Sequence, residues 1–400
     1  MTQNSPDTAP EVSVRDRDQE SGKASVSRLI GVDLARGLAV FGMYAAHVGP
    51  DPSRGGVTGL LMEPAHGRSS ALFAFLAGFA VVLITGRRTP KTGRAGRQAV
   101  AKVVIRAVVL LALGTALTMT GTPVLVILAF YGLYFLLVLP LYRLGARPLT
   151  AVAAGTALVF PQVLYVIRQG IGMSGPPSMP GDPDGIVSLL FTGTYPAMTW
   201  IPFVLAGMAV ARLDLTAATV RARLALTGAA LAVIGYGGSW LALHLVSGAI
   251  PAIRASGAGF GGSPESAWWS DTAGYPFGDT PAWLLAASPH SETTLSIVGN
   301  TGVAVLVLTA CLTAVDAFPH LRRLARPVIA VGSMSLTAYV FHIVGIRLLG
   351  IEELPGSPLH VLLGFIVAIC VFAMVWSHFF RRGPLEWLMG RATRIAERVR

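Results

Sequence analysis

Apolar residues fall in blocks of about twenty along most of the chain, separated by short polar or basic stretches. A helix of that length crosses a hydrocarbon core of roughly 30 Å. On this pattern, spans are expected near 29–49, 69–86, 103–121, 123–142, 149–167, 195–212, 224–246, 295–315, 327–349 and 359–380. The expected fold is all-α: a polytopic membrane helical bundle over 28–384 with about ten transmembrane helices. Residues 1–27, rich in Pro, Ser, Thr, Asp and Arg, read as a disordered cytoplasmic tail. Residues 385–400 read as a basic amphipathic cytoplasmic tail at the membrane surface. The first apolar run is long enough to span, so it reads as a signal anchor and not as a cleaved peptide.

Composition agrees with this pattern. The chain is 53% hydrophobic and only 13% charged, against about 25% charged in soluble domains. The net charge of +11 could suggest nucleic acid, but the basic residues lie in short blocks between apolar runs, as the positive-inside rule requires. With both termini inside, the cytoplasmic segments, counted with the inner span ends at Arg106 and Arg212, hold 25 of the 31 Lys and Arg residues. The outer loops hold Arg54, Arg68, Arg168 and Arg254, while Arg36 and Arg347 lie within spans. No nucleic-acid partner is expected; lipid is. The expected location is a bacterial plasma membrane. The excess of Arg over Lys, 28 to 3, reads as coding bias. Cys311 and Cys370 both sit in apolar runs and offer neither a disulfide framework nor a zinc spacing.

Ionisable groups inside a span are costly, so each one is a functional candidate. The first span carries Asp33, Arg36 and His47. Asp33 and Arg36 are three residues apart and can meet on one face, as a site or as a structural ion pair. Arg36 and His47 project from nearly the same face, roughly 16 Å apart along the axis. That stripe suits a ligand threaded through a continuous internal passage, with its anionic end toward the cytoplasm. Histidine can take up and return a proton near neutral pH. For His244, His290 and His360 an interfacial or packing role is the simpler account. No histidine pair has a metal-ligand spacing, so no metal is expected.

Before the second span stand Glu63, His66 and Arg68, where a carboxylate could orient an imidazole as general base; an ordinary polar helix entry would look the same. The ninth span carries Gly332-Ser-Met-Ser335-Leu-Thr337-Ala-Tyr339-Val-Phe-His342 and Arg347. Packing explains Ser335 and Thr337; it explains His342 and Arg347 less well. The outer loops 168–194 and 247–294 are long enough to cover a site.

Three of these stretches resemble one family. Arg28-Leu-Ile-Gly-Val-Asp33-Leu-Ala-Arg36-Gly37 is similar to the opening signature of the transmembrane acyltransferases related to YeiB and to heparan-α-glucosaminide N-acetyltransferase. His66-Gly67-Arg68-Ser-Ser-Ala-Leu-Phe-Ala-Phe-Leu-Ala-Gly78 resembles the second-span motif of the YeiB type, and Gly332-Ser-Met-Ser335-Leu-Thr337-Ala338-Tyr339 the late-span motif. The resemblance implies acyl transfer from cytoplasmic acyl-CoA to an extracytoplasmic acceptor, a sugar or glycoconjugate, by a protein that can pair as a homodimer. It implies a catalytic histidine, matched by position to His66, and an asparagine late in the first span, where this chain has His47. Ala338 also stands where relatives often carry asparagine.

The leading expectation is therefore a membrane acyltransferase using His66 or His47 as base. Arg36 and Asp33 would lie at the donor, and Glu63, Arg68, His342 and Arg347 at the substrate. A transporter or lipid-linked flippase without acyl chemistry is the alternative, and an envelope-assembly scaffold a third.

Overall fold

The computed structural model describes residues 14–171, 185–256, 263–270 and 280–399, with backbone alone for 14–29. All regular structure among them is helical. We number the principal helices α1 (Val14–Val48), α2 (Arg68–Thr85), α3 (Gly93–Thr118), α4 (Leu128–Val138), α5 (Ala146–Gly170) and α6 (Ala197–Ala211). They continue as α7 (Ala218–Leu245), α8 (Thr294–Ala317), α9 (Arg326–Ser333), α10 (Ser335–Leu348), α11 (Leu359–Phe379) and α12 (Pro384–Thr393).

Each of the ten apolar runs coincides with helix, but the expected ten spans are not ten uniform ones. Among the described residues, six helices are long and apolar enough to cross a membrane, or eight if each of two bent pairs is one span. The reasons are local. The 327–349 run bends by 90° between α9 and α10, and α6 is bent by 66° from the short helical segment before it. The 123–142 run forms only the shorter apolar helix Leu128–Arg143. In α1 the apolar run is interrupted by Asp33, Arg36 and His47. The chain is a helical membrane protein.

Helix α1 runs through the middle of the bundle, packing on α2, α8, α9, α10 and α11. Around it, α2 packs on α6, α6 on α5, α8 on α7, and α4 on α3. The crossing of α1 with α9 is backbone-close: a Cβ on Gly332 would lie 1.7 Å from the Asp33 carbonyl oxygen, and one on Gly37 2.2 Å from that of Val328. The small residues of two sequence motifs are thus explained by one helix contact.

The basic end of the bundle is tied by side-chain contacts. At the basic end, Arg212 donates to the carbonyls of Gly86, Arg87 and Tyr142, binding three connections together. Arg88 pairs with Asp214, and Arg221 with Asp316. The carboxyl-terminal segment, expected as a membrane-surface tail, docks here: Gln98 donates to the Glu397 and Val399 carbonyls, and Lys102 lies 3.6 Å from Glu397. On the same side, stretch 14–27, expected as part of a tail, forms the first turns of α1, whereas residues 1–13 lie outside the described residues.

Candidate functional site

Two cavities lie end to end beside α1. The first, of about 250 Å³, opens at the basic end and contains Arg36, Arg106 and Glu386 among apolar walls that include Phe73 and Tyr131. Arg36 is 3.2 Å from Asp33, one turn back on the same helix face. Glu386, on α12, is committed to the start of α10: it accepts from the Leu336 and Thr337 amides at 2.8 and 3.2 Å and from the Thr337 hydroxyl at 2.6 Å. The break after α9 leaves those amides without helical partners, and the carboxylate satisfies them. Arg106 has no hydrogen-bond or ion-pair partner among the described residues. It is half-buried on α3, in the middle of an apolar run.

The second cavity is small, about 30 Å³, and lies toward the opposite end. His47, Ser69, Ser70, Tyr195, His290 and Tyr339 are among its lining residues. Nδ1 of His47 lies 3.0 Å from Nε2 of His342, which is wholly buried. The His342 ring is held between Tyr44 and Tyr339, with ring centres 4.8 and 5.0 Å away. Tyr44 is fixed in turn by donating to the Ala338 carbonyl at 2.6 Å. His66, 4% exposed, and His290 both lie within electrostatic range of His47.

An aromatic layer separates the two cavities. Phe73 stacks on Tyr131 at 5.7 Å and on Tyr339 at 6.5 Å. The Tyr131 hydroxyl donates to the Ser70 carbonyl at 3.3 Å, and that of Tyr339 accepts from the Ile127 amide at 3.2 Å. The continuous passage expected along α1 is therefore two chambers with a wall between them. Bulky rings fill the level at which α2, α4 and α10 converge.

Arg36 lines the basic-end chamber and His47 the other, as their shared helix face suggested. His342 meets His47. The remaining candidates are placed elsewhere. Arg68 donates to the Tyr236 hydroxyl and to the carbonyls of Glu63, His66 and Trp269, and its guanidinium lies over the Tyr236 and Trp269 rings. It staples the entry loop to the outer loop. Glu63 is buried, and its carbonyl accepts from the His66 amide at 3.2 Å. Arg347 is exposed and donates to the Thr120 carbonyl at 3.4 Å, outside both chambers. One helical irregularity supports the Arg68 staple. A π-helical turn at Val233–Gly237 aims the Tyr236 hydroxyl at Asn300 Oδ1, 2.8 Å away, while the same hydroxyl accepts from Arg68.

Arg106 and the aromatic layer were not singled out from sequence, and His290, read there as an interfacial or packing residue, lines the second cavity. Segment 289–292 carries left-handed backbone at His290 and Glu292, both with φ 57°, a conformation uncommon for residues with a Cβ. Glu292 is buried against Arg168, 3.2 Å away. His244, by contrast, stacks on Trp240 and bonds its carbonyl, the packing role expected of it.

A fold of packed membrane helices with ionisable groups in two chambers defines a polytopic membrane protein with functional candidates in its interior. Residues 28–246 match the family described as heparan-alpha-glucosaminide N-acetyltransferase, catalytic, over more than half of the chain, and the chain belongs to that family. Residues 272–396 match a second family, described as protein of unknown function (DUF418). A comparison with curated proteins returns no match. Helix α1 from residue 28 onward and helices α2 to α7 fall in the first matched stretch, and α8 to α12 in the second. The His47–His342 contact and both chambers therefore lie where the two stretches meet. The family is one of membrane acyltransferases.

Proposed function

We propose that the chain moves an acyl group from acyl-CoA, bound at its basic, cytoplasmic end, to a hydroxyl or amine on an extracytoplasmic sugar or glycoconjugate. The observation that carries this reading is Arg106: a half-buried cation with no hydrogen-bond or ion-pair partner among the described residues, beside Arg36, in a chamber that ends at an aromatic wall with His47 behind it. An unpaired buried charge is costly, and an anionic ligand would repay it. The CoA phosphates supply that charge, and the acyl-bearing arm would extend toward Phe73 and Tyr131.

His47 is the base in this reading. When its Nδ1–H donates to His342 Nε2, its Nε2 is left as an acceptor toward the chamber it lines. The acceptor oxygen or nitrogen attacks the thioester carbonyl as Nε2 takes its proton. Collapse breaks the C–S bond, and the imidazolium returns the proton to the departing CoA thiolate. The products are one ester or amide and one free thiol, with no net proton change. His66 stands close by as a second imidazole, and His290 lines the same chamber as His47.

The test is thiol release from acetyl- or succinyl-CoA by the purified protein, with and without amino-sugar and glycan acceptors. Acceptor-dependent thiol release supports the proposal. Movement of an unmodified solute across proteoliposomes, with no thiol released, would replace it with a transport function.

A further inference from the structure

A third cavity, of about 590 Å³, lies at the basic end between segment 319–333, α1 at Ile30 and the last turns of α11. Arg322, Arg323 and Arg326 line one side, and Ile329, Ala330 and Met374 line the other. No carboxylate lines it, and none of the three guanidinium groups has an ion-pair partner among the described residues. The same segment exposes apolar side chains beside these charges: Phe318 is 59% exposed and Leu324 78%. Across the groove, Phe379 at the end of α11 is 72% exposed. A row of unpaired guanidinium groups flanked by exposed large apolar residues, at the end of membrane-spanning helices, fits the headgroup level of a bilayer.

We infer that this groove binds an anionic phospholipid of the adjoining leaflet. The phosphate sits among Arg322, Arg323 and Arg326, where forked N–H donors match its oxygens. One acyl chain follows Ile329, Ala330 and Met374 along α9 and α11. Basic pockets between helices at the membrane surface bind such headgroups for this reason. The inference stands apart from acyl transfer, because the groove is lined by none of the residues assigned to that reaction. It would fasten α9, and with it the α1 crossing at Gly332, to the membrane surface.

The experiment is native mass spectrometry of the full chain in neutral detergent, titrated with short-chain phosphatidylglycerol or phosphatidylcholine. Phosphatidylglycerol should be retained in preference to phosphatidylcholine, and each Arg→Gln change should weaken its retention roughly fivefold. Met374→Trp, which fills the apolar side without touching a charge, should weaken it as well. Equal retention of the two lipids would overturn the inference. So would undiminished phosphatidylglycerol binding in both the R322Q/R323Q/R326Q and Met374→Trp proteins. Displacement of the lipid by a soluble adenosine bisphosphate would overturn it too, assigning the groove to the nucleotide end of CoA.

Discussion

His47 and His342, 295 residues apart in the chain, meet through ring nitrogens 3.0 Å apart. His342 is enclosed by Tyr44 and Tyr339 and has no exposure to solvent, so it can act on the chamber only through His47. His47→Asn should therefore lower acyl transfer by about a hundredfold or more, the usual worth of a general base, while acyl-CoA still binds. His342→Phe should lower kcat by roughly tenfold, the value of one oriented hydrogen bond, with KM unchanged. His342→Gln, which can still accept, should recover part of the loss. A larger kcat loss in His66→Ala than in His47→Asn would reassign the base to His66.

Arg106 and Arg347 make a matched pair for testing donor binding. Arg106→Gln should raise KM for acyl-CoA by about tenfold or more, since bonds to charged groups are worth about 1.5–3 kcal/mol. Arg347→Gln, an exposed change outside both chambers, should leave KM where it was. Initial-rate measurements against acyl-CoA concentration decide the matter.

Phe73 bridges Tyr131 and Tyr339 in the wall between the chambers. Phe73→Ala should open that wall to water, so thiol release without acceptor should rise relative to acceptor-dependent transfer. Phe73→Leu should lie between it and the parent. An unchanged ratio in Phe73→Ala would show that the rings do not hold water away from the thioester.

Gly332 is fixed by space. Its Cβ would fall 1.7 Å from the Asp33 carbonyl oxygen, a backbone atom that cannot step aside. Gly332→Ala should destabilise the bundle by about 1–3 kcal/mol, as overpacking does, and lower Tm measurably. Gly364→Ala, on α11 with open space around the added methyl group, should leave Tm unchanged or raise it slightly.

Glu292 gives a pH signature. Burial pushes its carboxyl up from 4.5 to about 7, against the pull of Arg168. The folded protein therefore holds this proton more tightly than the unfolded chain does. The resulting stability is complete below pH 4.5 and is lost as pH rises through about 7. Hydrogen exchange in 288–293, corrected for intrinsic rates, should quicken across that window, and Glu292→Gln should remove the trend. Slower exchange at higher pH would contradict this assignment.

The helices themselves were legible because a bilayer demands long apolar runs, and each run became helix. Their breaks were less so. The α9–α10 bend depends on Glu386, fifty residues later, satisfying the opened amides, and no local pattern announces that partner. Among site residues, Arg36 and His47 stood out because charge and imidazole are rare within a span. Arg106 was counted with the topological charges, since only the fold shows that it lacks a partner. Phe73, Tyr131 and Tyr339 look in sequence like any aromatic in an apolar run. His290 comes from a long loop with no period, and only its packing brings it to α1. Arg68 shows the reverse: a conspicuous charge whose donors are taken by carbonyls and a phenol.

The most direct measurement is an experimental structure with a non-hydrolysable thioether analogue of acyl-CoA. Its phosphates should lie beside Arg106 and Arg36, with the sulfur at the Phe73–Tyr131–Tyr339 wall and the acyl carbon turned toward His47. An analogue bound elsewhere, or lying in this chamber with its sulfur directed away from that wall, would contradict the proposal.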